Sequence, residues 1–265
     1  MNQCKKKFIC GAAAILLACT AFVSCSNESG SGDAPKKERE RKPATPSIGI
    51  GRIMPEVHEP KAFTVLIDPG HGFEDGGAGD GILPSGYLEK DVNLAIANYL
   101  KEDLTEYGFQ IIMSHDGVTF PQSVNYDNNN KFNPNERVAY ANQQNIDYYI
   151  SIHVNSHTDP NASGARVYYQ QTWVKENQNS EVITRYVANS IDDAFTGDVD
   201  VVVHNDVSLA VTRETKAAAT MEEVGFCTNP TDAANMIQPE WQAQMAQAMA
   251  DGIHQYYTEN VEIPS

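Results

Sequence analysis

Phe63-Thr64-Val65-Leu66-Ile67 is an unbroken apolar run that stops at a glycine-dense loop, Pro69 to Gly86. A β-type run without polar alternation fits a strand covered on both faces. Such strands belong to parallel sheets packed between helices. The rest of the chain must then supply those helices, and its periodicity does so. From about Asp91 to Tyr107, the residues Val92, Ala95, Ile96, Tyr99, Leu100 and Leu104 fall on one helical stripe. Gly108 stands where such a helix is capped, and Phe109–Met113 reads as a second strand. A polar loop, Asp116 to Lys131, precedes a helix from about Asn135 to Gln144. Asp147–Val154 is a third strand, Arg166–Gln170 another, Ser180–Phe195 a helix and Ala219–Val224 a further strand. The last helix runs from Pro239, a residue favoured at the first helical position, to about Tyr257. Its stripe of Trp241, Met245, Met249, Ile253 and Tyr256 reads as core rather than as a cofactor box. The expected fold is a single α/β domain with a mainly parallel, twisted sheet and helices on both faces.

The N-terminal quarter is a different kind of sequence. Residues 1–60 carry a net charge of +3 and the remainder −19, within a total of −16. Lys5-Lys6-Lys7 and an apolar run from Phe8 to Val23 have the form of a secretory signal, too short for a convincing spanning helix. Polar Ser26-Asn27-Glu28 follows Cys25, an arrangement that resembles a bacterial lipoprotein signal with Cys25 as the acylated N-terminus. Leu16-Leu17-Ala18-Cys19 matches the usual spelling better, but cleavage there leaves apolar Ala21-Phe22-Val23 on the mature end. The expected organisation is a signal over 1–24, a disordered tether over 25–60 rich in Ser, Gly, Pro and charge, a folded domain over 61–258 and a tail over 259–265. The domain then faces the periplasm or cell wall, held to a membrane by its lipid. Four of the five cysteines lie in the first 25 residues, so a disulfide framework or a cysteine-based zinc cluster is excluded from the domain, which holds only Cys227. Its acidic balance argues against nucleic acid.

The usual catalytic spellings are missing: there is no GxSxG, HExxH or GxxxxGK[ST]. What remains is the placing of His and Glu. His71 follows the first strand, His153 ends the third and Glu223 ends a later one, where a parallel sheet gathers its site. Glu89 precedes the first helix. Two imidazoles and a carboxylate suit a borderline ion such as zinc and leave a position open for water. Glu89 is also readable as a first-turn residue favoured by the helix dipole, and a lone histidine at a strand end as structural. An unpaired Glu223 on an apolar strand is harder to explain that way, because burying it is costly.

Four segments in order carry a family resemblance. They are Ile67-Asp68-Pro69-Gly70-His71-Gly72, Gly86-Tyr87-Leu88-Glu89-Lys90-Asp91, Ser151-Ile152-His153-Val154-Asn155 and Glu223-Val224-Gly225-Phe226-Cys227-Thr228-Asn229. With Arg137-Val138-Ala139-Tyr140-Ala141-Asn142, they resemble the zinc-dependent N-acetylmuramoyl-L-alanine amidases with an α/β catalytic domain, over roughly residues 63–257. The resemblance implies one Zn2+ per chain bound by His71, Glu89 and His153, and Glu223 as the catalytic carboxylate. It implies hydrolysis of the bond between the lactyl group of N-acetylmuramic acid and L-alanine in peptidoglycan, and leaves room for an activator protein. Glu222 stands where the family usually has an apolar residue, which makes the register between Glu222 and Glu223 a point for the structure. His115 replaces a frequent Arg and Ala218 a usual Pro. Some members carry an inserted helix that blocks the zinc, and the short step from His153 to the Arg166–Gln170 strand leaves no room for one there. The rival readings are an inactive peptidoglycan-binding lipoprotein and a zinc peptidase that cuts within the stem peptide. Asp68, Asp75 and Asp80 are the candidates for orienting the histidines.

Overall fold

A computed structural model of the protein describes residues 63–78, 83–119, 121, 133–171 and 179–261. The leader, the tether, Asp80, most of the polar loop after Asp116 and the last four residues lie outside them. The elements run β1 (Thr64–Pro69), α1 (Glu89–Glu106), β2 (Gln110–Met113), α2 (Pro134–Ala141), β3 (Tyr148–Asn155), β4 (Ala165–Tyr169), α3 (Ser180–Phe195), β5 (Val201–Asn205), α4 (Ala210–Glu214), β6 (Ala218–Phe226), α5 (Pro230–Met236) and α6 (Pro239–Asn260).

One six-stranded sheet has the order β2-β1-β3-β6-β4-β5. All neighbouring strands are parallel except β4 and β6, which are antiparallel. Alternation along the strands divides the core. Val65, Ile67, Tyr148, Ile150, Ile152, Ala218 and Val224 point to one face and pack with α1, α3 and α6. Leu66, Tyr149, Ala219 and Met221 point to the other, with Val138 and Ala141 of α2 and Val211 of α4. The strands are thus covered on both faces, which is why they read as apolar runs. Gly252 lets α6 approach α3, since a Cβ there would lie 2.7 Å from the Tyr186 carbonyl oxygen.

The differences from the sequence expectation are local. Glu89 is the first residue of α1 rather than a residue before it. Its first turn is closed by Asp91, whose carboxylate accepts from the Leu88 amide at 3.1 Å. Helix α2 stops at Ala141, and Asn142 turns away to bond the Glu214 carbonyl at 2.9 Å and the Lys216 amide at 2.8 Å. Strand β5 and the short helices α4 and α5 are additions. Residues 156–164, between β3 and β4, carry no helix.

Candidate metal and catalytic site

The site lies where β1, β3 and β6 end. The β1 strand runs into Asp68-Pro69-Gly70-His71, and His71 takes a left-handed backbone with φ of 62°. That turn points its ring back across the sheet end toward β3. Gly70 lies flat against His153, because a Cβ there would be 2.3 Å from the imidazole. On β3, His153 shares the parity of Tyr149 and so faces the α2–α4 side, half-buried. Glu89 reaches the same point from the start of α1.

The Glu89 carboxylate is buried and fully engaged. Its Oε1 lies 3.2 Å from His71 Nε2 and 3.1 Å from His153 Nδ1, and accepts from the Val154 amide at 3.0 Å. Its Oε2 accepts from the Ala78 amide at 2.6 Å. Burial alone would raise its pKa, but the hydrogen bonds and charge of His153 and His71 hold it far below the carboxylate range. His71 is pushed the other way: burial disfavours its charge, but Glu89 and Asp75 outweigh that and raise its pKa. One ligand atom each from His71, Glu89 and His153 lies within 4.8 Å of the others. The two histidine rings meet edge to face at 5.0 Å.

Of the candidate orienting aspartates, Asp68 and Asp75 are among the described residues, and Asp75 reaches a histidine, with Oδ2 3.1 Å from His71 Nδ1. It fixes the tautomer that presents Nε2 to the site. Asp68 points elsewhere, into a buried pair with Arg137 at 2.6 Å.

The two adjacent glutamates of β6 separate cleanly. Glu223 is paired across the sheet with His153 and shares the parity of Ala219 and Met221, on the site side. Its Oε2 is buried and without a hydrogen-bond partner among the described residues. Burial raises its pKa, with Glu89 adding to the rise and His153 and His71 partly offsetting it. Glu222, 1% exposed, shares the parity of Ala218 and Val224 and faces the α1–α3–α6 core. Beside the histidines a cavity of about 360 Å3 opens, lined by His71, His153, Arg137, Leu209, Val211 and Met221 among others.

Two contributors have no role in the sequence reading: Asn93, which that reading does not name, and His115, which it names only as a replacement for a frequent Arg. Asn93, one turn after Glu89, donates to the Gly70 carbonyl at 3.1 Å. Its signal was a polar residue in the apolar stripe of α1. His115 accepts from the Gly117 amide on Nδ1 at 3.1 Å, which leaves the proton on Nε2 for the Pro69 carbonyl at 2.8 Å. Burial and the charge of Arg137 lower its pKa and keep that tautomer neutral.

Two histidines meet a carboxylate here, and a second carboxylate with an oxygen unpartnered among the described residues lies beside them, an arrangement that suits metal-assisted hydrolysis. Comparison with known proteins narrows the class. A family model described as N-acetylmuramoyl-L-alanine amidase matches residues 65–255, and the chain belongs to that family. A germination-specific N-acetylmuramoyl-L-alanine amidase of Bacillus subtilis is 30% identical over 203 residues, which cover 76% of this chain and 82% of that protein. The Bacillus subtilis protein YqiI is 32% identical over 195 residues, covering 73% and 84%. A crystal structure of an N-acetylmuramoyl-L-alanine amidase from Clostridium difficile 630 superposes with a TM-score of 0.63 at 27% identity, covering 75% of this chain and 98% of that one.

Proposed function

We propose that the chain is a zinc-dependent amidase that cleaves the bond between N-acetylmuramic acid and L-alanine in peptidoglycan, and that it works from a lipid anchor to remodel the wall or separate daughter cells. The observation that carries this reading is the meeting of His71, Glu89 and His153 beside Glu223. The donor set fits zinc: two imidazole nitrogens and one carboxylate oxygen match its preference and leave a fourth position open. The unpartnered Oε2 of Glu223 supports the fit, because a buried acceptor without a donor is costly unless a ligand or water meets it. Zinc, when bound, polarises the scissile carbonyl and makes water more acidic.

The protein's own groups do the rest. Asp75 holds the His71 ring in its ligating tautomer, and the Ala78 and Val154 amides hold the Glu89 carboxylate. Glu223 takes the proton of the attacking water and delivers it to the alanine nitrogen as that bond breaks. Leu209, Val211 and Met221 give the cavity an apolar wall that suits the alanine methyl. Arg137, the arginine lining that cavity, is committed to Asp68, which disfavours recognition of a terminal carboxylate as in a carboxypeptidase. Mass spectrometry after digestion of purified peptidoglycan tests the reading. The expected products are stem peptides with a free alanine amine and glycan strands with free lactyl carboxylates. Cuts within the stem, or intact wall from zinc-loaded protein, overturn it.

The anchor rests on the leader. The 35 residues from Ser26 to Pro60, rich in Ser, Gly, Pro and charge, are the stretch of sequence between Cys25 and the domain. No helix among the described residues is long and apolar enough to cross a membrane. Cys25→Ala is expected to move the protein from the membrane to the soluble fraction with unchanged activity on isolated wall. Release by Cys19→Ala instead places the acylated residue earlier, and release by neither removes the anchor.

A further inference from the structure

We propose that Arg137 is a positioning residue for the metal site, and that its guanidinium sets the aim of the His71 imidazole by clamping the backbone on which that ring sits. The inference rests on the zinc reading above.

His71 occupies a left-handed backbone conformation that side chains rarely adopt, and it persists only where the surroundings hold it. Here they do so through three successive carbonyls. The Pro69 carbonyl accepts from Arg137 Nη1 at 2.9 Å and from His115 Nε2 at 2.8 Å. The Gly70 carbonyl accepts from Asn93 at 3.1 Å. The His71 carbonyl itself accepts from Arg137 Nη2 at 2.5 Å. One guanidinium thus bridges the residues on either side of Gly70, and Gly70 packs directly on the His153 ring. A shift of this segment moves His71 and disturbs His153 together.

The clamp is itself held. Arg137 and Asp68 are 4% and 0% exposed, and Arg137 Nη1 lies 2.6 Å from Asp68 Oδ1. Ser114 Oγ donates to the same oxygen at 2.5 Å, while Tyr149 OH and Ser151 Oγ donate to Oδ2 at 2.5 Å and 2.9 Å. A carboxylate accepting from β2's end, from β3 and from α2 has no freedom to turn, so the guanidinium above it has none either. Only a planar fork spans Asp68 and both carbonyls; a lysine ammonium is a single point of charge. Arg137 does not touch the reacting atoms in this account. It acts through His71.

The test compares the full chain with Arg137→Ala and with Arg137→Ala/Asp68→Asn, the second of which leaves no unpaired buried charge. Zinc affinity is read by competition with a coloured chelator, below the melting temperature of each metal-free form. Both variants are expected to bind zinc about 10–100-fold more weakly, the usual loss when a group supporting a metal ligand is removed. Millimolar guanidinium, which can enter through the adjoining cavity, is expected to restore part of that affinity, and ammonium none. Wild-type affinity in either folded variant overturns the proposal, and so does a loss that guanidinium leaves untouched. If the unaltered protein binds no zinc, the metal reading fails instead.

Discussion

Glu223→Gln is expected to lower turnover on peptidoglycan by about 10²–10⁴-fold, the usual loss of general acid–base catalysis, while zinc affinity and melting temperature stay close to those of the unaltered protein. The amide keeps the shape of the side chain and can still accept a hydrogen bond, but it cannot take a proton. Glu223 suits the task on three counts. It is paired across the sheet with His153, it faces the site, and its Oε2 has no partner among the described residues. Burial also raises its proton affinity, which brings a carboxylate nearer the range where it both accepts and releases a proton at neutral pH. Single-turnover assays on purified wall, with metal content measured on the same samples, check this. Full activity in Glu223→Gln removes the residue from the chemistry, and loss of zinc with the activity makes it a ligand instead.

The parts of the molecule that were legible in the sequence are those whose physics is local. β1, β3 and β6 announce themselves because a strand buried on both faces cannot alternate, and α1 and α6 because one stripe of each is apolar. Val201-Val202-Val203 of β5 is a short apolar run of the same kind, flanked by the acidic Asp198 and Asp200. Helices α4 and α5, at five and seven residues, are too short for periodicity to show. The four candidate site residues were readable from their places near strand ends and from motif order. What was not readable is long-range. Asp68 and Arg137 are 69 positions apart, and nothing in either neighbourhood names the other. The choice of Glu223 over Glu222 rests, in the sequence, on the Glu-x-Gly-Phe spacing of the motif and not on alternation. On a strand flanked by apolar residues on both faces, alternation is silent, and only the packing of Ala219 and Met221 against α2 and α4 shows which face holds the site.

Glu222→Gln is expected to leave turnover nearly unchanged and to make the fold more stable as pH rises above 4.5, by about 3 kcal/mol at pH 7. Glu222 is 1% exposed, in the core between the sheet and its long helices. Tyr148 OH meets Thr220 Oγ1 at 2.5 Å, and Thr220 Oγ1 donates to Glu222 Oε1 at 2.6 Å, but Oε2 has no partner among the described residues. Burial pushes its pKa from 4.5 up to about 8, against a smaller pull downward from Thr220. The folded protein therefore keeps this proton up to about pH 8, whereas the unfolded chain releases it above 4.5. Stability linked to Glu222 is whole below pH 4.5, falls as pH rises between the two values and is lost beyond the upper one. Glutamine mimics the neutral acid at every pH, so the variant and the unaltered protein converge near pH 4 and diverge toward pH 8. Glu89 and Asp68, whose pKa values are lowered in the fold, contribute the opposite slope. The total stability curve mixes these, and only the difference between variant and unaltered protein isolates Glu222. Urea unfolding of both metal-free forms at intervals from pH 4 to pH 8 measures that difference. A gap that stays constant with pH means that Glu222 is ionised in the folded core, and a gap of opposite sign means that its carboxylate has a partner there.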